Sequence, residues 1–260
     1  MMTIITQAMI FAAGFGKRLK PLTDQTPKPL IPIGNTTCLD FTLRKLKEAG
    51  IQKIVVNTHH LADQIHQHLK NHPEIIISHE PEILETGGGL INALPHFNKH
   101  EPIFIVNGDI WWQDGQISML QNLQDTWDSE KMDILLLLVP KENSIGYFGK
   151  GDYFLKDGGR AEYRGQHDSA PYVYPGVCIV NPSLLMHDHF LDRHASLAMT
   201  EKARHCEERE RRGNPVFSLK LLFDHAETNK YLYGLIHDSL WGDIGSPKGL
   251  EDVRERCNIT

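Results

Sequence analysis

An α/β fold, with a mainly parallel mixed sheet flanked by helices, is predicted by three features of this 260-residue chain. Short aliphatic runs alternate with stretches of helical periodicity, turn residues fall between them, and the composition (40% hydrophobic, 23% charged) is that of an ordinary globular protein. Met9, Ile10 and Phe11 read as a short buried strand that enters a glycine loop. A helix over residues 39–49 follows, closed by Gly50, because glycine tolerates the left-handed conformation that ends a helix. Residues 53–57 form the second strand, and Leu61, Ile65 and Leu69, spaced by four, mark the next helix. Residues 75–77, 103–107 and 134–139 are the third, fourth and fifth strands. Further on, residues 172–180 and 231–236 read as strands and residues 215–226 and 247–256 as helices. Ser246 serves as N-cap of the last, and Pro247 takes its first helical position.

Composition also narrows the function. Lys and Arg number 27 against 33 Asp and Glu, a net charge of −6, so no basic field exists to hold nucleic acid. The longest aliphatic run, residues 134–139, is far short of the ~20 residues a membrane helix needs. The N-terminus carries no basic region ahead of an apolar one, and a cytoplasmic protein is expected. The 4 cysteines lack a CxxC pair, which fits reduced thiols rather than a disulfide framework or a zinc site. The 15 histidines include His59-His60, His66-x-His68 and His187-x-His189 but no HExxH, and most read as solvated helix faces. His60, just past the second strand, reads as a support of the pocket. No linker divides the chain, so a single domain is expected. Residues 193–214, with mixed charges and no aromatic residue, read as a surface insertion whose deletion leaves catalysis nearly intact.

The chemistry is concentrated in the run Ala12-Ala13-Gly14-Phe15-Gly16-Lys17-Arg18-Leu19, followed by Pro21-Leu22-Thr23 and Thr26-Pro27-Lys28-Pro29. Glycines after a strand let backbone N–H groups approach an anion, and Arg18 and Lys28 can neutralise separate phosphates. A dinucleotide fingerprint fails, because Leu19 stands where a third glycine is needed and the second strand ends Asn57-Thr58 rather than in an acid. A P-loop fails as well, since Arg18 occupies the Ser/Thr position. Asp109 lies just beyond the fourth strand, at the edge where open α/β sheets bind ligands, and a short carboxylate there can hold Mg²⁺. Trp111-Trp112 is either a sugar platform or a buried wall.

The run from Ala12 to Pro29 resembles the signature of the sugar-1-phosphate nucleotidyltransferases. The resemblance continues at Leu84-Glu85-Thr86-Gly87-Gly88-Gly89, Val106-Asn107-Gly108-Asp109 and Trp241-Gly242-Asp243-Ile244-Gly245. It covers residues 8 to about 256 apart from 193–214, and looks closest to the compact bacterial N-acetylmuramate 1-phosphate uridylyltransferases. It implies a Rossmann-like nucleotidyltransferase fold, with a nucleotide-binding core over about 8–110 and a smaller sugar-binding, metal-completing portion over about 111–256. By that resemblance Ala12, Ala13, Gly14 and Gly16 hold a nucleoside triphosphate, Arg18 contacts its outer phosphates and Lys28 the reacting phosphoryl groups. The stretch Thr86 to Gly89 sets bare backbone against base and ribose, with Thr86, Gly87 and Gly88 as nucleotide contacts and Asn107 as another, Gly176 underlies the sugar, Glu162 meets sugar hydroxyls, and Asp243 joins Asp109 on Mg²⁺.

Two departures stand out. Pro175 fills a slot where small residues are usual, and Ala161-Glu162-Tyr163-Arg164 replaces a Glu-Lys pair, so the sugar-phosphate anchor is unassigned. The implied reaction is in-line attack of a sugar 1-phosphate oxygen on the α-phosphorus, releasing pyrophosphate. It needs no general base, because a phosphate monoester is mostly dianionic near neutrality. Arg18, Lys28 and Asp109 are the expected catalytic groups; the partners are the two small-molecule substrates, in a monomer or homo-oligomer. Mannose-1-phosphate guanylyltransferase, glucose-1-phosphate thymidylyltransferase and a silent nucleotide-sensing protein on the same fold are the alternatives.

Overall fold

The computed structural model describes residues 4–185 and 216–257. In chain order its first strands are β1 (Gln7–Phe11), β2 (Pro32–Ile33), β3 (Thr36–Thr37), β4 (Lys53–Thr58), β5 (Ile75–His79), β6 (Ile103–Asn107), β7 (Ile110–Trp112) and β8 (Ile134–Pro140). The later ones are β9 (Ser144–Ile145), β10 (Tyr153–Leu155), β11 (Ala161–Tyr163), β12 (Tyr172–Val173), β13 (Val177–Val180), β14 (Leu232–Ile236) and β15 (Trp241–Asp243). Helices α1 (Cys38–Glu48), α2 (Ala62–Leu69), α3 (Glu85–Ala93), α4 (Met119–Thr126), α5 (Lys220–Thr228) and α6 (Pro247–Cys257) lie between them.

β5, β4, β1 and β6 are neighbours in that order and all parallel, which requires each crossover to carry a helix or a long connection. The order reverses between β1 and β6. Their carboxyl ends, at Phe11 and Asn107, therefore open a crevice of the kind in which such sheets bind ligands. Beyond β6 the ten-stranded sheet becomes mixed: β13 runs antiparallel to both β6 and β8, while β14 is parallel to β8.

The two faces of the sheet follow the alternation of side chains along each strand. Ala8 and Ile10, Ile54 and Val56, and Phe104 and Val106 join one core with Leu39 and Leu46 of α1 and Ile65 and Leu69 of α2. Met9, Val55, Ile103 and Ile105 join the other, with Leu90 of α3 and Leu222 and Phe223 of α5. Each fully buried Leu or Ile stabilises the fold by roughly 1.5–3 kcal/mol. No helix among the described residues is long and apolar enough to cross a membrane.

Several expectations are modified. The strand over residues 172–180 divides into β12 and β13, because Gly176 at φ +87 and the preceding Pro175 interrupt the ladder. The helix expected from 215 begins only at Lys220, since residues 216–219 lie across the start of α3, with Gly87 and Gly88 donating to the Phe217 carbonyl (2.9 and 3.2 Å). Residues 193–214, including the proposed insertion, and the His187-x-His189 pair lie outside the described residues.

Candidate active site

The site is assembled by two features: a loop leaving β1 and a small second sheet. After Phe11 the chain reaches Gly16, whose φ of +61 turns it into the short turn Lys17–Leu19. A Cβ there would lie 2.7 Å from the Cγ2 atom of buried Thr23, whose hydroxyl donates to the Gly16 carbonyl at 2.9 Å. Lys17 and Arg18 are thereby held on the open side of the loop. A further short turn, Lys28–Leu30, carries Lys28, whose Nζ lies 2.5 Å from Oδ2 of Asp109.

β7 begins immediately after Asp109 and pairs antiparallel with β15, in a register that sets Asp243 opposite Ile110. Two aspartates more than a hundred residues apart in sequence are thus brought to one end of one ladder. Asp243 Oδ1 accepts from the Gly245 N–H at 2.7 Å, and its Oδ2 lies 3.6 Å from an Arg18 guanidinium nitrogen. The resulting cleft, about 280 Å³, is lined by Phe11, Ala12, Gly14, Gly16, Lys17, Arg18, Lys28, Pro29, Asp109 and Gly245. Three cations, Lys17, Arg18 and Lys28, and the Asp109 carboxylate line it, with Asp243 beside Arg18, an arrangement suited to a polyanion accompanied by a cation.

Supporting contacts fix this geometry. His60 Nε2 reaches the Thr23 carbonyl (2.9 Å) and its N–H the Ala13 carbonyl (3.5 Å), so His60 supports the pocket as expected. Phe15 rests against the rings of His59 and His60, at 5.5 and 5.3 Å between centroids. Trp111 and Trp112 are buried and form a wall, with Trp112 packed edge-on against Phe41. Beyond them, burial pushes the Asp114 carboxyl up, but hydrogen bonds from Lys45, the Met119 N–H and the Trp112 indole together hold it below the usual range. Behind the cleft, burial and then the nearby Asp109 push the Cys38 thiol well up, which leaves it without thiolate character.

Other predicted residues occupy different positions. The turn at Thr86, Gly87 and Gly88 is not the bare backbone anticipated: the Phe217 ring covers Gly87, and the Thr86 hydroxyl accepts from Leu219 N–H at 2.8 Å. Asn107 lies directly over Gly176, where a Cβ would sit 2.3 Å from its amide nitrogen, and its own N–H donates to the Gly176 carbonyl. Glu162 on β11 pairs with Lys156 at 3.0 Å. None of these lines the cleft described above. Lys17 and Gly245 also line it, and the signal for both is their place inside motifs that the sequence singles out, Lys17 beside Arg18 and Gly245 two residues past Asp243.

Asp109 and Asp243 offer oxygen donors of the chemical class that Mg²⁺ takes. Among the described residues no group of three or more His, Cys, Asp or Glu forms a cage. Mg²⁺ characteristically takes only one or two carboxylates, the remainder of its shell coming from water and substrate phosphates.

A family model described as Nucleotidyl transferase matches residues 7–149. The N-acetylmuramate alpha-1-phosphate uridylyltransferase of Caulobacter vibrioides is 35% identical over 184 residues, covering 68% of this chain and 76% of that protein. The protein of the same name from Neisseria meningitidis is 41% identical over 109 residues, 40% of this chain and 47% of that one. Among solved structures, HddC from Yersinia pseudotuberculosis superposes with a TM-score of 0.69 at 18% identity, covering 97% of this chain and 99% of that one. That likeness shows the α/β fold.

Proposed function

The chain belongs to the nucleotidyl transferase family, and from that premise we propose that its cleft joins a nucleoside triphosphate to a sugar 1-phosphate, yielding an NDP-sugar and pyrophosphate. The observation that carries this reading is the convergence of Arg18, Lys28, Asp109 and Asp243 on one end of the β7–β15 ladder and the loop beside it. The nucleophile is already anionic, so the protein's task is to align two polyanions that repel each other. Backbone at Ala12, Ala13, Gly14 and Gly16 holds the triphosphate, Arg18 its outer phosphates, and Lys28 the phosphoryl group under attack. The cations then stabilise charge as it moves to the leaving pyrophosphate. Asp109 and Asp243 would hold Mg²⁺, which when bound supplies charge neutralisation to the phosphate oxygens.

We assign base and ribose contact to residues 86–88, a further nucleotide contact to Asn107, and sugar contact to Glu162 and Gly176. For the substrates, uridylyl transfer to N-acetylmuramate 1-phosphate is the preferred reading, supported by the names of the Caulobacter and Neisseria relatives. The test is pyrophosphate release by purified protein with Mg²⁺, over four NTPs crossed with N-acetylmuramate, mannose, glucose and N-acetylglucosamine 1-phosphates. UTP with N-acetylmuramate 1-phosphate is expected to give the highest kcat/KM. Preference for GTP with mannose 1-phosphate overturns the substrate assignment, and silence with every pair overturns the enzyme.

A further inference from the structure

Glu80, just after β5, has no solvent exposure and does not line the cleft. Its Oε1 accepts from Asn57 Nδ2 at 2.7 Å and its Oε2 from the Leu84 N–H at 3.0 Å. Asn57 Oδ1 in turn accepts from the Ala12 N–H at 2.7 Å. Both ends of this bridge are backbone N–H groups, which can only donate. Asn57 must therefore turn its oxygen to Ala12 and its amino group to Glu80, and both Glu80 oxygens must accept. The polarity of every link is dictated by the main chain.

The bridge spans the carboxyl ends of β1, β4 and β5 and stops at the residue before α3. It joins the first amide of the glycine loop to the turn that carries Thr86. Gly89 confirms how closely it is enclosed: a Cβ there would lie 2.6 Å from Glu80 Oε1 and 2.9 Å from Asn57 Nδ2. The Glu80 backbone is also fixed, its N–H donating to the Thr58 carbonyl at 2.8 Å and its carbonyl meeting His59 Nδ1 at 2.8 Å.

We propose that Glu80, acting through Asn57, is a positioning residue that sets the separation of the phosphate-holding loop from the turn before Thr86, and so the affinity for the nucleoside triphosphate. The proposal rests on the reading of that loop as a triphosphate cradle. Its chemistry gives an unusual test. Glu80→Gln preserves shape but sets an amino group against a donor that cannot reverse, at either the Leu84 N–H or Asn57. Asn57→Asp sets two carboxylates face to face. The double variant Asn57→Asp/Glu80→Gln restores every link at unchanged net charge. The introduced carboxylate accepts from Ala12 and from the introduced amide, whose oxygen accepts from Leu84.

The four proteins are titrated calorimetrically with UTP and with GTP in Mg²⁺, alongside urea denaturation and kcat. Each single variant is expected to raise the Kd for the bound nucleotide about tenfold, the scale of one uncompensated buried donor, and the double to return it to within about threefold of wild type. Singles that bind like wild type, or a folded double that binds no better than the singles, overturn the proposal. Should the singles fail to fold, the double alone decides: it must fold and bind, and its failure to do either is contrary. A wild type that binds neither nucleotide defeats the functional reading itself, whereas wild-type binding with unchanged variants defeats only the positioning role.

Discussion

Lys28 Nζ stands 2.5 Å from Asp109 Oδ2, and the two side chains keep only 11% and 28% of their exposure. The contact joins the turn after the glycine loop to the end of β6, so cation and carboxylate are in place before any substrate arrives. Lys28→Met is expected to lower kcat/KM by about 10²–10³, the scale of losing one preorganised group that meets developing charge. Pyrophosphate release and a urea melt measure this together; a loss under tenfold in a folded variant contradicts the role.

Two glycines of one loop are expected to behave in opposite ways. Gly16, at φ +61 with Thr23 Cγ2 2.7 Å from a built Cβ, has no room for a methyl group, and Gly16→Ala is expected to cost about 1–3 kcal/mol of stability. At Gly14 a Cβ meets nothing within 4 Å, yet the residue lines the cleft. Gly14→Ala therefore leaves the urea midpoint in place and raises KM for the triphosphate. Equal midpoints for the two variants speak against this picture.

Arg18 is 69% exposed and lies 3.6 Å from Asp243, an ion pair of the kind that contributes about 0–1 kcal/mol. Arg18→Ala should leave thermal stability almost unchanged while KM for the triphosphate rises about tenfold, a loss in the range for charge-assisted hydrogen bonds. Steady-state kinetics at varied NTP, with a thermal melt alongside, separates the two effects; a large fall in melting temperature would show a structural role instead.

His237 supplies a pH dependence. Burial, the largest influence, holds its pKa below the usual 6.5, and the neutral ring donates from Nε2 to the Gln113 carbonyl at 2.9 Å. The unfolded chain takes up this proton more readily than the folded one, so the contribution is complete above about pH 6.5 and declines as the pH falls below that value. His237→Gln keeps a donor and removes the titration. Urea midpoints between pH 7.5 and 5.5 are expected to show a shallower acid slope for the variant than for wild type, and identical slopes contradict the assignment.

What the sequence discloses depends on how local the cause is. β4, β6 and β8 each carry an unbroken apolar run (54–56, 103–106 and 134–139) because both faces of the sheet are covered, and such runs are visible without any partner. The end of α1 is visible because Gly50, at φ +82, marks it. β7, β9 and β15 are only two or three residues long and exist through each other, Trp241 pairing with Trp112 and with Ser144. α3 hides behind Gly87-Gly88-Gly89, poor helix formers held in place by the burial of Leu90 and the carbonyl of Phe217. The same division runs through the site. The loop at Gly14 and Gly16 is local and legible, whereas Asp243 comes to the β7 end that Asp109 precedes only through a register between distant strands, and Glu80 announces nothing until three strand ends are brought together.

The most direct measurement is pyrophosphate release by Asp109→Ala, under conditions in which the wild-type protein turns over and with folding verified by cooperative urea unfolding. Loss of at least about a thousandfold is predicted, because the substitution removes both the partner of Lys28 and a proposed Mg²⁺ ligand. A folded Asp109→Ala variant within tenfold of wild-type kcat/KM would contradict the placement of the chemistry in this cleft.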